Sequence, residues 1–164
     1  MNANEIIAAL SMETHIEGGY FAETFRAAET VKTARVGETR SIVTSIFYML
    51  TRDRPTGHFH QNASDVMHYF QAGSPMTYLL IDPAGALRRV TLGLDFAAGH
   101  VAQLMVPGGH WKASQLEAGD YGLLGEAVVP GFDYRDMTLA TAARFQADYP
   151  ALWPELAPFI RASE

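Results

Sequence analysis

The sequence predicts an all-β protein, an antiparallel sandwich or barrel formed as one domain over residues 1–164. Three observations predict it. Segments dense in β-branched and aromatic residues recur at intervals of about ten residues. Gly and Pro punctuate the gaps between them. Helix-compatible patterning is confined to the two ends of the chain.

Each element follows from local chemistry. Asn4 can cap a short helix carrying Ile6, Ile7 and Leu10 on one side. Gly18 and Gly19 permit a tight backbone before Tyr20–Arg26, where Tyr20, Ala22, Thr24 and Arg26 alternate with Phe21, Glu23 and Phe25. Residues 27–40 are polar and read as a surface loop or a ragged hairpin. Residues 41–50, SIVTSIFYML, form a buried strand that serves either the core or a dimer interface. A turn at 53–57 leads into two short strands with a polar break at 61–64. Met76–Ile81 and Leu87–Leu92 follow, separated by a turn at 82–85. After a break at 96–100, residues 101–106 make another strand closed by Pro107-Gly108-Gly109. Tyr121–Val129 is the last long strand, and beyond Thr138 two short helices end the chain, the first stopped by Pro150.

Composition narrows the function. Hydrophobic content of 48% with 18% charged residues is that of a globular chain rather than a disordered one. A net charge of −6 with no basic cluster excludes nucleic acid and anionic membrane as partners. No apolar run approaches about 18 residues and no leader-like segment opens the chain. The absence of cysteine removes disulfides, thiolate metal sites and cysteine nucleophiles together. The expectation is a soluble protein of the cytoplasm.

The chemistry concentrates between Gly57 and Gly73, in GHFHQNASDVMHYFQAG. If residues 58–60 are extended, His58 and His60 share one face, roughly 7 Å apart, and can converge on one ion or one substrate. His68 joins them if it points inward; otherwise it fills an aromatic packing slot.

At this segment the chain resembles the cupin superfamily. His58-Phe-His60 and Gly73 match the first of its two metal-binding motifs, and Pro107-Gly-Gly109 matches the frame of the second. Across nearly the whole chain it is similar to the cupin 5 family, a small branch akin to sugar-nucleotide epimerases. That similarity rests on His15-Ile-Glu-Gly-Gly-Tyr20, Thr24-Phe-Arg26, Ser45-Ile-Phe-Tyr-Met-Leu50, Leu92-Gly-Leu-Asp95, Gln103-Leu-Met-Val-Pro107, Trp111 and Val129-Pro-Gly-Phe-Asp133. The resemblance implies a double-stranded β-helix jelly roll with short N- and C-terminal helices, and a homodimer paired through its sheets. It also exposes departures: the motif's usual Glu falls on Val66, with Asp65 before it, and the second motif's His falls on Lys112.

Two site chemistries follow. One divalent metal (zinc, iron, manganese or nickel) could take His58, His60 and His68, with Gln103 or His110 completing the set. Without a metal, His60 would act as base and Tyr69 or Tyr134 as acid on a carbonyl substrate. Gln103, Glu17, Tyr20, Trp111 and Lys112 are candidates to line the pocket, and Arg26 to grip an anionic group. The leading expectation is an isomerase or epimerase acting on a sugar-like or carbonyl-bearing small molecule. A metal-dependent dioxygenase or lyase, and a non-catalytic binding module, are the alternatives.

Overall fold

The structure, a computed structural model, describes residues 1–162. Its strands are β1 (Glu13–Thr14), β2 (Tyr20–Arg26), β3 (Thr30–Lys32), β4 (Thr39–Ser41), β5 (Thr44–Thr51), β6 (Thr56–Asn62) and β7 (Asp65–Gly73). They continue as β8 (Met76–Ile81), β9 (Leu87–Leu92), β10 (Gln103–Val106), β11 (Trp111–Gln115), β12 (Tyr121–Val129) and β13 (Met137–Leu139). Helices α1 (Ala3–Ala9), α2 (Ala142–Asp148) and α3 (Trp153–Leu156) flank them. Two antiparallel sheets make the jelly roll, one of six strands in the order β1-β2-β5-β12-β7-β10 and one of five in the order β13-β6-β11-β8-β9. Residues 27–40 resolve as a β3–β4 hairpin rather than a loop.

The longest apolar runs are buried on both faces, which is why they do not alternate. Between the sheets, Tyr48, Leu50, Tyr78, Leu80, Leu104 and Leu124 form one core. The outer face of the five-stranded sheet packs Phe59, Leu79, Ile81 and Trp111 against Phe145 and Leu156 of the C-terminal helices. On the other side, Met49 and Leu123 are covered by Ala3 and Ile6 of α1. β5 therefore lies inside the six-stranded sheet between β2 and β12, with Tyr48, Met49 and Leu50 fully buried.

Two local differences have clear causes. α1 is capped by Asn2, whose side chain accepts from the Glu5 N–H while the Glu5 carboxylate accepts from the Asn2 N–H, so the helix starts before Asn4. β11, WKASQ, does not read as a strand because its inward positions, Lys112 and Ser114, are polar.

Candidate functional site

The histidine segment is reshaped by a β-bulge. Lys112 opposes His60 and Ser114 opposes Gly57, so three steps along β6 match two along β11. Gly57 and His60 both face the interior, where a Cβ on Gly57 would overlap the Ser114 and Tyr48 hydroxyls. His58 is turned toward the barrel mouth, and Phe59 into the outer core. The expectation that His58 and His60 share one face is corrected on this ground: one extra residue breaks the two-residue alternation.

Inside the barrel, the side chains of His68 (0% exposed), Lys112 (3%), His60 (4%), Glu126 (6%) and Glu17 (7%) are removed from water. His60 Nε2 lies 2.9 Å from Glu17 Oε2, and its Nδ1 lies 2.9 Å from the His58 carbonyl oxygen. Both ring nitrogens of His60 are thus engaged by oxygen atoms of the barrel interior. Burial would raise the Glu17 pKa, but the contact with His60 holds it below the usual carboxylate range.

Glu126 on β12 stands directly opposite His68 on β7. His68 Nδ1 is 3.0 Å from Glu126 Oε1, off the ring N–H axis, so the contact is electrostatic rather than an aligned hydrogen bond. On the other side, Lys112 Nζ donates to His68 Nε2 at 3.3 Å. Burial and then the Lys112 ammonium push His68 below its ordinary value, leaving the ring uncharged at neutral pH. Burial alone would raise the Glu126 carboxyl, but its contacts with His68 and the Lys112 ammonium bring it down to about 2. Tyr48 and Tyr78 stay protonated, driven well up by burial and by the carboxylates. The Tyr48 hydroxyl donates to the Gly18 carbonyl at 3.1 Å, which ties the Gly-Gly turn to the barrel.

A cavity of about 540 Å³ opens at the barrel mouth, lined in part by His15, Phe21, Arg54, His58, Tyr134 and Arg161. The His15 ring meets Phe21 edge-on at 4.6 Å and stacks over Tyr134 at 6.4 Å. Its Nδ1 accepts from the Glu17 N–H at 3.3 Å and lies 3.5 Å from Glu17 Oε2. Glu17 therefore joins the pocket wall to the interior. His58 is held below its ordinary value by burial, the Phe159 backbone opposing, and its Nδ1 is buried without a hydrogen-bond partner. Arg161 donates to the Ile16 carbonyl at 3.1 Å, and the Arg54 guanidinium lies 5.5 Å over the Tyr20 ring.

Of the residues expected at the site, His60, His68, Lys112 and Glu17 meet in the interior, and His58 and Tyr134 at the mouth. The others lie elsewhere. Tyr69 and Gln103 oppose each other on the exposed outer face of the six-stranded sheet, because odd positions of β7 point outward. Trp111 packs on Phe145 beneath α2. Arg26 pairs with Glu23 at 2.6 Å on the surface, and Tyr20 packs beside α1. His110 borders a separate hollow of about 440 Å³ with Met105 and Pro107.

The residues do not fit a divalent metal. Among the described residues no group of three or more His, Cys, Asp or Glu side chains is arranged to hold one. Lys112 brings a positive charge into the interior, His58 is turned out of it, and the position counted for the motif's Glu is the apolar Val66. Sequence reasoning missed Glu126, Tyr48, Tyr78, Ser114 and the pocket role of His15. Glu126 carried a signal, as a single carboxylate inside YGLLGEAVV that must find partners if buried.

The family described as Cupin_5, "Cupin superfamily (DUF985)", matches residues 4–140. An uncharacterized protein of Saccharomyces cerevisiae is 41% identical over 137 residues, covering 76% of this chain and 68% of its own length. A hypothetical protein from Leishmania major superposes with a TM-score of 0.91 at 30% identity, over 99% of this chain and 100% of its own. A protein of Shewanella oneidensis does so with a TM-score of 0.91 at 32% identity, over 99% of each. Oxalate decarboxylase of Bacillus subtilis shares the fold alone, with a TM-score of 0.55 at 14% identity over 92% of this chain and 38% of that one.

Proposed function

We propose, for a chain that belongs to the Cupin_5 family of the cupin superfamily, that the barrel mouth is the site of a small-molecule isomerase or epimerase. The substrate class is a sugar-like or carbonyl-bearing compound with an anionic group. One observation carries this: the mouth cavity gathers His15, His58, Tyr134, Arg54 and Arg161 from separate parts of the chain, above the buried carboxylate of Glu17. His58 is uncharged at neutral pH and can take the proton next to the carbonyl. Tyr134, raised by burial, keeps its phenolic proton and can return one to the opposite face of the resulting enolate. Arg54 and Arg161 would hold the anionic group in place. Among the described residues no convergent donor set supports the dioxygenase or lyase alternative.

The test is deuterium incorporation. Wild-type protein incubated in D₂O with a panel of hydroxy acids, keto acids and sugar phosphates should wash out the proton adjacent to a carbonyl, read by proton NMR. His58→Ala should slow the exchange by about 100-fold, the scale of general-base catalysis. Exchange that survives His58→Ala unchanged in a folded protein would remove the base assignment. A melting shift with a panel compound and no exchange over long incubation would instead favour the non-catalytic binding module. Pairing of two copies through the six-stranded sheet belongs to the same reading, since Tyr69, Met105 and Val129 are exposed on its outer face. Sedimentation of Met105→Glu against wild type checks it, with a smaller species expected for the variant.

A further inference from the structure

The charges inside the barrel close on one another. Glu17 and Glu126 are both ionised, held below the ordinary carboxylate range by their neighbours. His60 sits between two acceptors, the Glu17 carboxylate and the His58 carbonyl. Lys112 supplies a positive charge, and the neutral His68 ring links it to Glu126. Two carboxylates therefore share the interior with one ammonium and two imidazole rings.

The backbone fixes where Lys112 goes. It opposes His60 on β6 and Leu80 on β8, and both of those side chains face the interior. A divalent ion placed among these groups would stand against the Lys112 ammonium, away from the water that screens such repulsion elsewhere.

We propose that the Lys112 ammonium is the resident cation of this barrel: it takes the electrostatic place that the two-histidine motif otherwise leaves to a metal ion, holds Glu126 ionised across His68, and closes the interior to divalent metals. This does not depend on the reaction proposed for the barrel mouth.

The test begins with tag-free native protein titrated with Co²⁺ and Zn²⁺. Cobalt d–d absorption, metal retained after gel filtration and melting temperature are the readouts. Native protein should show no d–d bands, no retained metal and no melting shift. Lys112→His removes the ammonium and sets a third imidazole beside His60 and His68, so it should gain cobalt bands and a melting temperature that rises with metal. A cobalt spectrum in native protein that His68→Ala abolishes overturns the proposal, whether or not the Lys112 variant folds. Folded Lys112→His protein that ignores cobalt also overturns it.

Two further measurements separate charge from packing. Lys112→Met keeps most of the side-chain volume without the charge. Its melting deficit should be largest at neutral pH and shrink as Glu126 protonates in acid. The groups facing position 112 in that experiment are Glu17, His60, His68, Glu126 and the phenols of Tyr48 and Tyr78. A deficit that is the same at every pH would make Lys112 a packing residue and overturn the proposal. The chain has two lysines, Lys32 and Lys112, so ¹⁵N-lysine labelling reports the charge directly. A slowly exchanging ammonium signal from Lys112, distinct from exposed Lys32, is expected, and a neutral-amine shift there overturns the assignment.

Discussion

Glu126→Gln removes one negative charge from the interior while keeping the side-chain shape. In the folded protein burial opposes ionisation, yet contacts with His68 and the Lys112 ammonium bring the carboxyl from an ordinary 4.5 down to about 2. At about 1.4 kcal/mol per tenfold change in the equilibrium, that difference corresponds to roughly 3 kcal/mol of folding stability. The sign follows from linkage. A depressed carboxyl contributes fully above its unfolded value and loses the contribution as pH falls through its folded value. Wild type should therefore exceed Glu126→Gln by about 3 kcal/mol at pH 7, with the gap narrowing below the unfolded value of 4.5 and nearly closed near 2. Taking the difference between the two proteins cancels the other depressed carboxylates, Glu17, Asp133 and Asp136, which titrate in both. Denaturant unfolding at a series of pH values measures it. A gap that is equal at pH 2 and pH 7, or absent at both, would refute the claim that Glu126 is held by charge.

Gly57→Ala should cost about 1–3 kcal/mol by overpacking, since its Cβ would overlap the Ser114 and Tyr48 hydroxyls on the interior face of the bulge. Equilibrium unfolding checks this, and a loss below about 0.5 kcal/mol would argue that Gly57 does not face inward. Phe145→Ala should cost about 3–5 kcal/mol, because the ring is fully buried between Phe59, Trp111 and Tyr149 under the five-stranded sheet. The same measurement reads it, and a surface-like loss would mean that α2 does not dock as described.

The strands and their turns were legible because their causes are local. Apolar runs such as 76–81 and the Gly or Pro breaks around them lie within a few residues of one another. The site was legible only in part. An extra residue in β6 leaves no mark on composition, yet it moves His58 from the interior to the mouth and sets Gly57 in its place. The parity of β7 was readable for His68, which does face in, but the same alternation should have excluded Tyr69. Glu126 was hidden for a different reason. Its partners, His68 and Lys112, are distant in sequence, and strand pairing alone brings them opposite one another.

Those distant partners also explain how an apolar barrel can hold so many charges. An ionised group without partners in the interior is strongly destabilising. Here each ionised group has a close polar partner: Glu17 has His60 at 2.9 Å, and Glu126 has His68 at 3.0 Å, which Lys112 reaches at 3.3 Å. Removing one member strands the others, so the cluster is costly to dismantle and holds its geometry tightly. Glu17 extends that rigidity outward, because the same carboxylate that faces His60 also borders His15 in the wall of the mouth cavity. The pocket thus rests on a fixed electrostatic floor.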